Sequence, residues 1–145
     1  MTKKILFVCT GNTCRSPMAE AIFNHLRSGE AFARSAGLYS VEGSKAAWNT
    51  LKVLEENKME LDHRSKQLTE EDLDWASHVF AMTSAHKAML MDQYPGAADK
   101  IFTLKEFVDG PHGSQDIADP FGGDIDTYRS AFKELKDLIR RLSLD

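Results

Sequence analysis

The chain has 145 residues, of which 42% are apolar and 28% charged, a size and balance suited to one soluble domain with its own core, expected to span residues 1–145. Its formal net charge of −4 at pH 7 argues against a nucleic-acid or anionic-membrane partner and leaves room only for a local basic pocket. Two cysteines, Cys9 and Cys14, cannot build a disulfide framework, and no zinc site is expected, since their spacing is wider than the usual knuckle and no close histidine pair follows; the apolar run after Lys3-Lys4 is too short for a secretion signal, so the expected location is the reducing cytoplasm.

Residues 3–9, KKILFVC, read as a buried strand that stops at a polar, glycine-containing loop. A helix is expected next, with Ser16 as N-cap, Pro17 in the first turn, Met18, Ile22 and Leu26 on one face, and an end near Ser28-Gly29. A second strand around Phe32–Ala36 halts at Gly37, and Lys45 to Asn57 is predicted helical, with Ala47, Leu51 and Leu54 on one face. Val79–Met82 is a third strand, followed by a helix over Ser84–Gln93, and Lys100–Leu104 is a fourth. The last helix carries Tyr128, Ala131, Phe132, Leu135, Leu138, Ile139 and Leu142 at steps of three and four. Strands alternating with helices predict an α/β fold, a parallel sheet covered on both faces, with its functional crevice outside the carboxyl ends of the strands. The loop after Cys9 lies there, and so does the Gly-, Pro- and Asp-rich segment 106–126, read as one long functional loop.

A loop between a parallel strand and a helix N-terminus aims several backbone N–H groups at one point, where the helix dipole adds partial positive charge. That is a cradle for a dianion. Gly11 supplies conformational freedom and Asn12 tolerates left-handed backbone. No Walker-type Gly-x₄-Gly-Lys-Ser/Thr pattern is present; Cys9 and Arg15 stand in its place. Amides, dipole and Arg15 together favour a thiolate at Cys9, which makes it a nucleophile that needs no histidine base. Arg15 offers a planar fork for two phosphoryl oxygens, and Ser16 can donate to the thiolate. This collar matches the three equatorial oxygens of a phosphoryl-transfer transition state.

The stretch VCTGNTCRSPMAE resembles the phosphate-binding loop of the low-molecular-weight protein phosphatases, and the resemblance continues through Ser35-Ala36-Gly37, His63 before SKQL, Ala81-Met82 and Asp119-Pro120. It implies a single-domain, four-stranded parallel sheet with helices on both faces. It also implies hydrolysis of phosphorylated proteins through a phosphocysteine intermediate, with no metal or other cofactor. Carried onto this chain, Cys9 is the nucleophile, Arg15 the phosphate clamp, Asp119 the proton donor, and Asn12 with His63 a brace for the loop. Thr10, Gly11, Asn12, Thr13, Cys14 and Ser16, together with Phe121, are the expected substrate-binding positions. Asp119 is also reached from the residues themselves: among Asp109, Asp116, Asp119, Asp124 and Asp126 it alone precedes a proline, which fixes the local chain. The other histidines, His25, His78, His86 and His112, are expected to be surface or packing residues.

Thr13 stands where the tyrosine-specific members carry an aliphatic residue, and Phe121-Gly122-Gly123 replaces a tyrosine-rich segment. Both features resemble the bacterial protein-arginine phosphatase branch, so phosphoarginine is the expected substrate and phosphotyrosine the alternative. Thiol-dependent arsenate reductases share the loop but need further cysteines downstream, and none follows Cys14. Cys14, a second thiol in the same loop, suits a reversible disulfide with Cys9.

Overall fold

A computed structural model describes residues 3–144. Its sheet has four parallel strands, β1 (Lys3–Cys9), β2 (Ala31–Gly37), β3 (His78–Ala81) and β4 (Ile101–Thr103), in the order β2-β1-β3-β4. The helices are α1 (Arg15–Leu26), α2 (Trp48–Glu56), α3 (Glu70–Trp75), α4 (Ser84–Gln93), α5 (Leu104–Asp109) and α6 (Ile125–Arg140). Alternation along β1 feeds two cores. Ile5 and Phe7 pack with Met18, Phe23, Phe80, Leu135 and Ile139 on the side of α1 and α6, while Leu6 and Val8 pack with Leu73, Val79, Leu90 and Ile101 on the side of α3 and α4. With both faces covered, β1 has no solvated side, which is why its apolar run does not alternate. No helix among the described residues is long and apolar enough to cross a membrane.

The strands fall within a residue or two of their expected bounds, and four features differ. The first helix begins at Arg15, with Cys14 at the cap position and no side-chain cap. Ser16 is no N-cap, because its hydroxyl is occupied by Cys9 and Asn12. The second helix begins at Trp48 instead of Lys45 and ends at Glu56, because the Ala47 N–H is drawn to the Thr13 carbonyl (2.9 Å) and Ser44 is tied to Ser65. Two short helices went unpredicted. In α3, Thr69 and Asp72 form a capping box; in α5, Thr103 and Glu106 do the same, each satisfying two N–H groups the helix start would leave open. Helix α5 therefore removes the front of the long loop, and α6 its end at Ile125.

Because β1 and β3 are neighbours, the segments leaving their carboxyl ends meet. The loop after Cys9, the first turn of α4 and the 110–124 segment converge at one edge, and Ile117 N–H closes the junction by donating to the Met82 carbonyl (2.9 Å).

Candidate active site

The backbone dictates the loop first. Asn12 has φ 57°, in the left-handed region that a short amide side chain accepts better than most residues. Its side chain is fully buried and uses every polar atom it has: Nδ2 donates to Ser16 Oγ and Ser35 Oγ (2.9 Å each), and Oδ1 accepts from Lys66 N (2.9 Å). His63 Nε2 donates to the Asn12 carbonyl at 2.7 Å, and burial pushes the His63 imidazole pKa below its ordinary value. Gly37, at the end of β2, lies so close beneath the loop that a Cβ there would stand 2.6 Å from the Thr10 carbonyl oxygen.

These bonds set the direction of the Ser16 hydroxyl. Its oxygen accepts from Asn12, so its proton is free to donate to Cys9 Sγ, 2.9 Å away. Ser35 works the same way, accepting from Asn12 and donating to Glu20 Oε1 at 2.7 Å. Burial pushes the Glu20 carboxyl above its ordinary pKa, against the pull of the Ser35 bonds. A continuous chain of hydrogen bonds thus links Glu20, Ser35, Asn12, Ser16 and Cys9. Glu20 and Ser35 were not assigned a part from the sequence; both lie in stretches that carried the family resemblance, and that was the available signal.

Above the loop is a cleft of about 260 Å³ lined by Cys9, Thr10, Gly11, Thr13, Cys14, Arg15, Asp119 and Phe121. Of the expected site residues, Asn12 and Ser16 are the two loop members whose side chains lie beneath the cleft instead of on its wall, fully buried, and His63 braces from outside. Arg15 is held from behind: Nη1 donates to the Ile117 carbonyl at 2.8 Å, and Nη2 lies 3.5 Å from Asp119 Oδ2. The guanidinium side chain is 6% exposed and the carboxylate 55%, so the cation forms a fixed wall while the carboxylate stands at the mouth. Asp119 Oδ1 accepts from Phe121 N (3.0 Å) across Pro120, which orients the carboxylate within its own turn. Gly122 takes φ 81°, and a Cβ on Gly123 would meet the Thr127 side chain at 2.8 Å, so the two glycines let the turn fold onto α6. Phe121, 75% exposed, stands at the rim.

The start of α1 has neither a side-chain cap nor an acidic residue in its first turn, which suits an anion at that end of the cleft. Cys14 is buried, its Sγ 3.5 Å from Tyr128 Oη and 3.8 Å from Thr13 Oγ1. Burial pushes its thiol pKa up, opposed by the bonds to Tyr128 and Thr13, and burial likewise raises Tyr128. Among the remaining histidines, His25 and His112 are exposed, and His78 packs on Phe80 and Phe107. His86 is buried and bonds Thr10, a contact the sequence reading did not foresee.

A buried guanidinium, a thiol that receives a hydrogen bond, and a carboxyl at the mouth form a set whose chemistry suits moving a phosphoryl group through a covalent intermediate. A protein-arginine-phosphatase of Geobacillus stearothermophilus is 53% identical over 143 residues, covering 99% of this chain and 95% of that protein. The solved structure of the YwlE arginine phosphatase from the same organism superposes with a TM-score of 0.92 over 96% of this chain and 89% of that one, at 53% identity. A YwlE arginine phosphatase variant with serine in place of cysteine, solved with its active-site serine phosphorylated, gives a TM-score of 0.91 at 45% identity over 95% and 91% of the two chains. The model of the family described as low molecular weight phosphotyrosine protein phosphatase matches residues 4–144, and the chain belongs to that family.

Proposed function

We infer that this protein is a protein-arginine phosphatase that works through a phosphocysteine at Cys9. The observation that carries the reading is the composition of the cleft wall: the polar Thr13 and the Asp119 carboxylate stand in the same cleft as Cys9 and Arg15. The 53% identity to a protein-arginine-phosphatase supports it. A phosphoguanidinium presents N–H groups beside its phosphoryl group, and a wall with a hydroxyl and a carboxyl group, whose carbonyl oxygen accepts while its O–H is kept for the leaving nitrogen, can organise those bonds.

In the first step the Cys9 thiolate attacks phosphorus while the P–N bond breaks and Asp119 gives its proton to the departing arginine nitrogen. Arg15 and the loop amides hold the three equatorial oxygens. In the second step Asp119, now a carboxylate, takes a proton from water as the water oxygen attacks phosphocysteine, the S–P bond breaks, and the Ser16 hydroxyl stabilises the returning thiolate. The Glu20–Ser35–Asn12–Ser16 chain and His63 hold the loop in shape through both steps. Phosphorylated proteins are the substrates in this reading, and the reducing cytoplasm is the compartment in which both thiols persist.

Replacing Thr13 by isoleucine tests the specificity. Loss of a hydrogen bond to a charged group, on the order of 1.5–3 kcal/mol, should lower kcat/KM for a phosphoarginine peptide roughly ten- to a hundredfold. Activity on the matching phosphotyrosine peptide should hold or rise. A ratio of the two specificity constants unmoved by the substitution would refute the role of Thr13.

A further inference from the structure

His86 has the burial of a core residue and the chemistry of a site residue. It is 6% exposed, in the first turn of α4, with Nε2 2.8 Å from Thr10 Oγ1 and Nδ1 buried without a partner. A packing role alone gives no reason for imidazole here, since a buried ring nitrogen with no partner is a liability that an apolar side chain would remove. The bond to Thr10 does give a reason. Thr10 directly follows Cys9; its carbonyl accepts from Tyr39 N (3.0 Å), and its hydroxyl is held by His86. Both ends of the residue are thus fixed from outside the loop.

The same helix turn also holds the opposite side of the cleft. Ser84 N, two residues before His86, donates to Asp116 Oδ1 at 2.8 Å, and the next residue, Ile117, accepts Arg15 Nη1. The start of α4 is therefore a common anchor for the loop bearing Cys9 and the loop bearing Asp119. A buried acceptor without a partner is better tolerated than a buried N–H without one, which puts the ring proton on Nε2, donating to Thr10 Oγ1. The ring is neutral in the fold, because burial and the nearby Arg15 cation disfavour its charged form more than Asp119 and Asp116 favour it.

We propose that His86 is a positioning residue of the phosphate loop, acting through the Thr10 hydroxyl to hold the segment after Cys9 in register with the Asp119 loop. The inference rests on the hydrolase reading of the cleft. It adds a second brace, on the α4 side, to the one formed by Asn12 and His63.

The test compares His86→Leu, His86→Gln, Thr10→Val and the His86→Leu/Thr10→Val double variant with wild type, measuring kcat and KM on p-nitrophenyl phosphate and the thermal midpoint. His86→Leu should lower kcat roughly ten- to a hundredfold with KM changed less than about threefold, because a loop out of register costs most where the transition state is held. Its thermal midpoint should change little, the lost bond to Thr10 being offset by removal of the unpartnered nitrogen and by burial of an apolar side chain. His86→Gln, whose amide nitrogen reaches the Nε2 position, should recover much of the rate. Thr10→Val should reproduce the loss, and the double variant should add little to it. A folded His86→Leu with wild-type kcat, or a loss that merely tracks a lowered thermal midpoint, overturns the inference. Should His86→Leu fail to fold, Thr10→Val at wild-type kcat overturns it, and Thr10→Val at reduced kcat together with a His86→Gln protein near wild-type kcat sustains it. A wild type inactive on this substrate and on phosphoarginine sinks the hydrolase reading and the inference together, whereas an active wild type with indifferent variants sinks the inference alone.

Discussion

Gly37→Ala adds one methyl group where β2 runs into the floor of the phosphate loop. The added Cβ would stand 2.6 Å from the Thr10 carbonyl oxygen, 3.0 Å from Ser40 Cβ and 3.1 Å from Asn12 Cβ. The first contact falls roughly 0.8 Å short of ordinary van der Waals separation, and the atom to be moved is backbone, not the end of a flexible side chain. It cannot move freely: Thr10 O already accepts from Tyr39 N, Gly37 N donates to Lys66 O, and Leu68 N donates to Gly37 O. The strain is shared between strand and loop, with an overpacking cost of about 1–3 kcal/mol. Part of it appears as a shift of the Thr10–Gly11 peptide by several tenths of an ångström, which should cost on the order of tenfold in kcat, since a misplacement of about 1 Å costs about a hundredfold. Thermal unfolding followed by circular dichroism reads the first quantity, and steady-state turnover of p-nitrophenyl phosphate on the folded protein reads the second. A Gly37→Ala protein with wild-type kcat and wild-type thermal midpoint would refute the close approach on which this reasoning stands.

Asp119→Asn should cost turnover heavily with leaving groups that must be protonated and much less with activated phenols, and a loss equal across a series of leaving groups would contradict the acid role. Peroxide should oxidise the Cys9 thiolate to a sulfenic acid that Cys14 resolves as a disulfide, releasing water. Activity should then return with a thiol reductant in wild type but poorly in Cys14→Ser, and mass spectrometry finding no disulfide between positions 9 and 14 would refute this. Acid should weaken the fold in a defined window. His86, pushed down to about 4 from 6.5, stays neutral in the folded chain while the unfolded chain takes up a proton below pH 6.5. Stability should therefore fall by about 3 kcal/mol between pH 6.5 and about 4 from this group, with His63 acting in the same direction, and His86→Gln should flatten that slope in urea titrations.

What could be read from the sequence was what is local. The strand, the glycine and asparagine of the loop, the cysteine, the arginine and the start of α1 lie within fifteen residues, so their spacing alone brings them together. Asp119 was reachable because proline singles it out within a segment the topology sends to the cleft. His86 was not, because its part depends on β3 lying beside β1, which brings the first turn of α4 against Thr10; nothing in the spacing of the histidines reports that. The misplaced helix starts share one physical cause. The loop after Cys9 claims both starts: the Ser16 oxygen that a cap would use to accept a backbone N–H accepts from Asn12 Nδ2 instead, and the Ala47 N–H is drawn to the Thr13 carbonyl. Helices α3 and α5 were legible in principle, since Thr69 with Asp72 and Thr103 with Glu106 carry the capping-box pattern, but each spans six residues, too few for a hydrophobic period to emerge.

In the function proposed here the cleft recognises a phosphoguanidinium. The most direct test is the ratio of kcat/KM for a phosphoarginine peptide to that for the phosphotyrosine peptide of otherwise identical sequence, measured on the wild-type protein at neutral pH, away from the acid that hydrolyses phosphoarginine. A ratio well above one is predicted from Thr13 and Asp119 sharing the wall with Cys9 and Arg15, and a ratio below one would place the protein among the tyrosine phosphatases of its family.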